Sequence, residues 1–166
     1  WCDAMLFSDT VEKLTVQEGV TRLPSIRFVG NPQRRREISL PATLQHLPHL
    51  PLSPRDSTTW HISADNPCLH RVNGFLLSAD DSVLYEAPVD VTSLADLAGR
   101  LREIAGGALS GCTGLTELAV PDGVQRIGPM AFASCPQLRR AKLPRSVKAL
   151  GDRAFVHCDA LEAFHA

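Results

Sequence analysis

The chain has 166 residues, of which 44% are hydrophobic, 21% charged and 5% aromatic, and its formal net charge is −1. This balance excludes an intrinsically disordered chain, and no stretch approaches the ~20 apolar residues of a membrane-spanning helix, so we expect no membrane insertion. Because the net charge is near zero and the basic residues are not interleaved with aromatic ones, we also expect no nucleic-acid partner.

Residues 1–64 carry a degenerate repeat, in which Leu14, Ile38 and Ile62 are evenly spaced and fall in one column. The alternation of apolar and polar residues around these positions predicts short strands. Residues 48–58 contain three prolines, which predicts an external loop. Trp60 follows this loop and is expected to be half buried against it, with an exposed binding tryptophan as the alternative.

Residues 65–98 form an irregular unit between the repeats. The segments Phe75–Ser78 and Val83–Glu86 are rich in apolar residues and are separated by a short run of polar or small residues, which predicts a β-hairpin. The dipeptide Asn73–Gly74 supports a turn with positive φ just before it.

Residues 99–166 repeat with a period of 23, most visibly in Cys112, Cys135 and Cys158. The other columns in the same register are Ile104–Ile127–Leu150, Ala108–Ala131–Ala154, Leu109–Phe132–Phe155 and Leu115–Leu138–Leu161. A lone coil of this length buries too little apolar surface to offset its ordering entropy, so coils must stack on one another. The sequence therefore predicts a solenoid.

The repeat columns resemble the BspA-type leucine-rich repeat of bacterial surface proteins. The resemblance rests on Ile127-Gly128, Ala131-Phe132, Cys135, Leu138, Leu143-Pro144 and Val147. It is supported by an inserted unit with Asp65-Asn66-Pro67, Asn73-Gly74-Phe75-Leu76, Asp80 and Pro88, in which Asn73 replaces the usual Asp. The resemblance implies a single domain over residues 1–166, a right-handed leucine-rich repeat solenoid of the α/β class. We expect this domain to be a segment of a longer protein. Most of its strands would be short and parallel, with turns or short helices on the far side and a β-hairpin in one irregular coil.

The resemblance also implies a function, a non-enzymatic protein-binding or adhesion module at the bacterial cell surface or outside the cell. Its partners would be host matrix or surface proteins, or other cells. The alternative is a structural spacer or self-associating stalk with no ligand. A cytoplasmic location also stays open, because inward-facing thiols suit a reducing compartment.

The outward side of the strands is the candidate binding face, since side chains there can vary without disturbing the core. Its predicted residues are Lys13, Thr15, Glu37, Ser39, His61, Ser63, Glu117, Ala119, Arg140, Lys142 and His165. The basic run Arg139, Arg140 and Lys142 is interpreted as a solvated surface, with a specific anion site as the alternative.

The cysteine column is interpreted as a structural ladder of inward side chains, shared by Ser8, Asn31, Cys112, Cys135 and Cys158. Zinc sites usually take four ligands, often in close CxxC pairs, and no such spacing is present, so no metal or cofactor is expected. A thiol-dependent enzyme using Cys68 and His70 is a remote alternative. The last coil, with Leu161 and Phe164, is expected to be an adhesive edge that supports end-to-end self-association.

Overall fold

The structure of the chain, a computed structural model, describes residues 4–8, 10–23, 25–29, 36–45 and 58–166. The chain divides into two compact units, Trp1–His70 and Arg71–Ala166, and each is described by itself. The sequence predicts one domain with internal boundaries after residues 64 and 98, and this stays a prediction. Residues 48–57 of the predicted loop lie outside the described residues, and its last residue, Thr58, begins a strand.

The first unit contains two parallel sheets. Its strands are β1 (Ala4–Ser8), β2 (Lys13–Thr15), β3 (Ser25–Val29), β4 (Arg36–Leu40) and β5 (Thr58–Ile62). Strand β1 pairs with β3, and β4 lies between β2 and β5. The pairing of β2 with β4 follows the predicted spacing, since Leu14 lies opposite Ile38.

The predicted spacing is wrong for β5. Ile38 lies opposite Trp60 and not opposite Ile62, so this coil is shorter than predicted. The physical reason is the large indole, which takes the inward position and, at only 4% exposed, is buried more deeply than the sequence predicts. Its burial there contributes more than that of a smaller side chain. Because the shift from Ile62 to Trp60 is an even number of positions, it keeps every side chain on its original face, and the inside and outside of β5 are unchanged.

The irregular unit contains β6 (Leu69–Val72), β7 (Phe75–Ser78) and β8 (Val83–Glu86). Strands β7 and β8 pair antiparallel, which confirms the predicted hairpin, and Asn73 and Gly74 have φ of 50° and 84°. In the hairpin loop the hydroxyls of Ser78 and Ser82 donate to Asp80 Oδ1 at 2.6 and 2.7 Å. These hydrogen bonds lower the pKa of Asp80 to about 2, because they favour the ionised carboxylate.

The regular part of the second unit is built from six short strands. They are β9 (Glu103–Ile104), β10 (Glu117–Ala119), β11 (Arg126–Ile127), β12 (Arg140–Lys142), β13 (Ala149–Leu150) and β14 (Ala163–His165). One parallel sheet has the order β10–β12–β14; the other has the order β13–β11–β9 and continues into the hairpin through β8. Paired residues are 23 apart in both sheets, which confirms the repeat.

Each coil has two short strands on two of its sides and turns on the third. These turns also form backbone hydrogen bonds with the next coil. Gly107, Leu109 and Gly111 donate their N–H groups to carbonyls of the following coil, at 3.0, 2.8 and 2.8 Å. Within the described residues, helix is limited to a 3₁₀ turn at Ala95–Leu97. The second unit is therefore a β-solenoid whose far side is made of turns rather than helices.

The core of the second unit is a set of stacked apolar columns. Its members Ile104, Leu109, Leu115, Phe132 and Leu138 are 0% exposed. The edge coil is less covered, since Leu150 and Phe164 are 48% and 44% exposed. In the part of the chain that the structure describes, there is no helix long and apolar enough to cross a membrane.

Candidate functional site

The sheet β10–β12–β14 presents the predicted binding face of the second unit. Alternate residues of a strand point to opposite faces, and the middle residues Leu118 and Ala141 are buried in the core. The residues on either side of them are solvent-exposed. The structure places the predicted residues Glu117, Ala119, Arg140, Lys142 and His165 together on this surface, which we call the strand face.

Two rows of side chains cross the strand face from coil to coil. Parallel pairing without a register shift gives the row Glu117–Arg140–Ala163 and the row Ala119–Lys142–His165. In the first row Arg140 Nη1 lies 3.0 Å from Glu117 Oε1. In the second row the two registered neighbours of Lys142 carry no carboxylate.

In the first unit the predicted residues fall into similar rows, with one correction. Lys13 lies opposite Glu37, with 3.8 Å between Nζ and Oε2, and Thr15 lies opposite Ser39. The prediction that His61 and Ser63 continue these two rows is wrong, because the register of β5 is shifted. His61 lies opposite Ser39, whereas Ser63 is half buried beyond the end of β5.

Ion pairs between adjacent coils are a feature that the sequence analysis missed. They join Lys13 to Glu37, Glu103 to Arg126 and Glu117 to Arg140. The partners are one repeat apart, and in-register pairing of the coils sets such residues side by side. Opposite charges one repeat apart at outward positions are the sequence signal that could have found them. The cationic partner of each pair is exposed, so each pair contributes at most about 1 kcal/mol to stability. Each pair also places a carboxylate next to a surface cation.

The three repeat cysteines are buried and donate hydrogen bonds to backbone carbonyls. Cys135 Sγ lies 3.2 Å from the oxygen of Leu109, and Cys158 Sγ lies 3.0 Å from that of Phe132. Cys112 Sγ lies 3.6 Å from the oxygen of Pro88. Burial, with the nearby Asp90 and Glu86 charges, raises the pKa of Cys112 to about 12, and a hydrogen bond with Cys158 together with burial raises the pKa of Cys135. These two thiols remain protonated donors that satisfy the backbone.

The other predicted ladder residues behave differently. Ser8 is exposed, and its Oγ accepts hydrogen bonds from the N–H and hydroxyl of Thr10 at 3.3 and 3.1 Å. Its assignment to the inward ladder is therefore wrong, because the hydroxyl satisfies the local turn at the end of β1. Asn31 lies outside the described residues.

Asn66 performs the ladder role in the first unit, which the sequence analysis did not assign to it. It is 8% exposed. Its Nδ2 donates to the carbonyls of Pro41 and Leu44 at 2.8 and 3.3 Å, and its Oδ1 accepts the N–H groups of Cys68 and Leu69 at 2.9 and 3.0 Å. One side chain thus satisfies four backbone groups.

We expect Asn66→Ala to lower the free energy of unfolding of the first unit by about 2 to 4 kcal/mol, because it removes all four bonds from groups at a buried site. The neighbouring exposed Asp65→Ala is the control and should change it by less than about 0.5 kcal/mol. Both tryptophans, Trp1 and Trp60, belong to this unit, so tryptophan fluorescence during urea unfolding reports its stability. Equal midpoints for the two variants would contradict the assignment.

The residues of the thiol-enzyme alternative lie at the end of the first unit. Cys68 is a half-buried free thiol whose backbone N–H is held by Asn66. His70 is half buried at the end of the first unit. Among the residues that the structure describes, no three His, Cys, Asp or Glu side chains converge as a metal site requires.

Comparison with known proteins identifies the repeats. Residues 90–166 match the family described as "BspA type Leucine rich repeat region (6 copies)". No curated protein matches the chain.

Solved structures of bacterial leucine-rich repeat proteins share the fold. A leucine-rich repeat protein from Eubacterium ventriosum is 14% identical, with a TM-score of 0.62 over 92% of this chain and 53% of that one. The pneumococcal vaccine antigen PcpA is 19% identical, with a TM-score of 0.63 over 98% of this chain and 47% of that one. A leucine-rich cell surface protein from Faecalibacterium prausnitzii is 20% identical, with a TM-score of 0.63 over 90% and 46%.

The chain spans about half the length of these solved proteins, and the similarity at this identity concerns the fold. The repeat columns, the paired coils and the family match agree with one another. The resemblance that the sequence predicted is confirmed: residues 90–166 match the BspA-type leucine-rich repeat family, and the chain shares its fold with bacterial leucine-rich repeat proteins.

Proposed function

We propose that this chain is a non-enzymatic binding module of a bacterial surface or secreted protein, and that it contacts a protein partner through the strand face of the second unit. The observation that carries the proposal is the separation of roles within β10 and β12. Their middle residues Leu118 and Ala141 are buried in the stacked columns, while the residues on either side of them are exposed to solvent. Such a surface can be shaped for a partner without changing the core.

The comparisons support this proposal in general terms. One structure with the same fold is described as a cell surface protein and another as a vaccine antigen, which is consistent with a surface location for this chain. Host matrix proteins, host surface proteins and other cells are the partners that the family resemblance suggests. A partner in the matrix or on another cell would be reached from a surface location.

The proposal can be tested with a bulky neutral substitution in the strand face. Surface plasmon resonance would compare the parent chain with Ala119→Tyr against a panel of purified matrix and surface proteins. Ala149→Tyr is the matched control, because Ala149 is also exposed but lies on β13, outside the strand face. We expect the parent to bind a member of the panel and Ala119→Tyr to weaken that binding at least tenfold, with no change in the control. If both variants weaken binding equally, or if the parent binds no protein of the panel, the result would contradict the proposal and favour the structural spacer.

Self-association is a second candidate, favoured by the exposed apolar side chains of the edge coil. Leu150 and Phe164 occupy inward columns yet are about half exposed, whereas Leu161 is half buried against the core. Light scattering over a concentration series should show dimers that Phe164→Lys abolishes. Val89→Lys is the control, since Val89 is an exposed apolar residue at another place in the same unit. A parent that stays monomeric at high concentration would exclude this candidate.

A further inference from the structure

The ion pairs between coils divide the cations of the second unit's sheets into two groups. Arg126 is compensated by Glu103, and Arg140 by Glu117, one repeat earlier in each case. Each guanidinium therefore already has a carboxylate across the coil boundary. A partner that approached either arginine would have to compete with that carboxylate.

Lys142 is the exception on the strand face. It is exposed, and the residues paired with it in the neighbouring coils are Ala119 and His165. Lys142 takes part in none of the ion pairs among the described residues. Ala119 has only a methyl group beside Lys142, so the surface is low on that side and an incoming group can approach. The three strands thus present a single uncompensated positive charge next to a shallow position.

We propose that the partner bound by the strand face is an acidic protein segment and that one of its carboxylates pairs with Lys142, over Ala119 and beside His165. This inference rests on the proposed function and specifies the chemistry of its partner. An exposed lysine pairs with a carboxylate as a point charge. Such a pair acts mainly on specificity and on the rate of association.

The charge pattern favours a protein segment over a polyanion such as a sulfated glycan. Binding to a polyanion strengthens with the number of anionic groups neutralised by free cations. The strand face offers one free lysine, because Arg140 is already paired with Glu117. A single carboxylate on a protein surface matches that arrangement.

The test uses two labelled ten-residue glycine–serine peptides as probes, one with a single glutamate and one with glutamine in its place, and NMR titration of the full chain at low ionic strength. The expected results below refer to the glutamate peptide. We expect the amide shifts of Ala119, Lys142 and His165 to move most, and Lys142→Glu to weaken the apparent affinity at least fivefold. Lys148→Glu is the matched control, because Lys148 is exposed and carries the same charge in the same unit but lies outside the strand face. It should change the affinity less than twofold.

Three outcomes would overturn the inference: equal weakening by both variants, shifts centred away from Lys142, or binding of heparin that depends on Lys142 without any preference for the glutamate peptide over the glutamine peptide. The proposed function fails separately, through the Ala119→Tyr comparison. If Ala119→Tyr abolishes partner binding while Lys142→Glu leaves it unchanged, the strand face binds a partner whose chemistry is not acidic.

Discussion

The Cys135→Asp variant is expected to be less stable than the parent by about 3 to 5 kcal/mol at pH 7, because it places an unpaired carboxylate in a dry interior. Cys135 is 0% exposed and its thiol donates to the carbonyl of Leu109, a bond that an ionised carboxylate cannot make. Burial raises the pKa of the introduced carboxyl. The loss should therefore shrink as the pH falls toward about 4, the pKa of aspartate in the unfolded chain.

Two further variants separate charge from packing at this position. Cys135→Ser retains a donor for Leu109 and should lose only about 1 kcal/mol. Lys142→Asp introduces the same aspartate at an exposed position and should leave stability nearly unchanged. The second unit contains no tryptophan, so far-UV circular dichroism and amide hydrogen exchange are the suitable measurements. Equal stability of Cys135→Asp and Lys142→Asp would refute the assignment of inside and outside.

The Gly128→Ala variant is expected to lose about 3 kcal/mol, because the backbones of adjacent coils approach too closely there for a side chain. A Cβ on Gly128 would lie 2.3 Å from Gly106 N and 2.8 Å from Ala105 C. Both are backbone atoms of the preceding coil, so a side-chain rotation cannot relieve the clash. The coils would have to separate, which weakens the bond from Gly128 N–H to the carbonyl of Ile104, now 2.8 Å long.

Gly99→Ala serves as the control for this prediction. Gly99 has φ of 83°, and a Cβ there meets no atom within 4 Å. Its replacement should lose only about 1 kcal/mol, from the positive φ alone. Hydrogen exchange of the amides in β9, β11 and β13 would locate the effect of Gly128→Ala. A smaller loss for Gly128→Ala than for Gly99→Ala would show that the coils tolerate separation at this corner.

The ion pairs change how the strand face should be interpreted for binding. From sequence, Arg140 and Lys142 are equivalent members of one basic run. In the structure Arg140 is paired with Glu117, and Lys142 is not part of such a pair. Reversing both charges together would therefore break an ion pair between coils as well as remove a binding group, and single substitutions are the better test.

The period, the buried columns and the hairpin could all be predicted from the order of the amino acids. A solenoid places residues one period apart in contact, so a column of identical residues such as Ala108, Ala131 and Ala154 identifies a shared environment. The hairpin was also predictable, because its apolar segments and polar loop are local in sequence. Period and local alternation both depend on nearby residues, and the sequence shows them directly.

Features that depend on competition between distant groups could not be predicted in this way, because they are set by contacts between coils. The register of β5 depends on Trp60 taking the inward position opposite Ile38. Asn66 is the residue that hydrogen-bonds the buried backbone in the first unit, because four backbone groups surround its amide. The pairing of Arg140 with Glu117, which leaves Lys142 uncompensated, follows from the alignment of whole coils. Each outcome depends on which groups meet across coils, and a degenerate repeat does not specify that until the backbones are stacked.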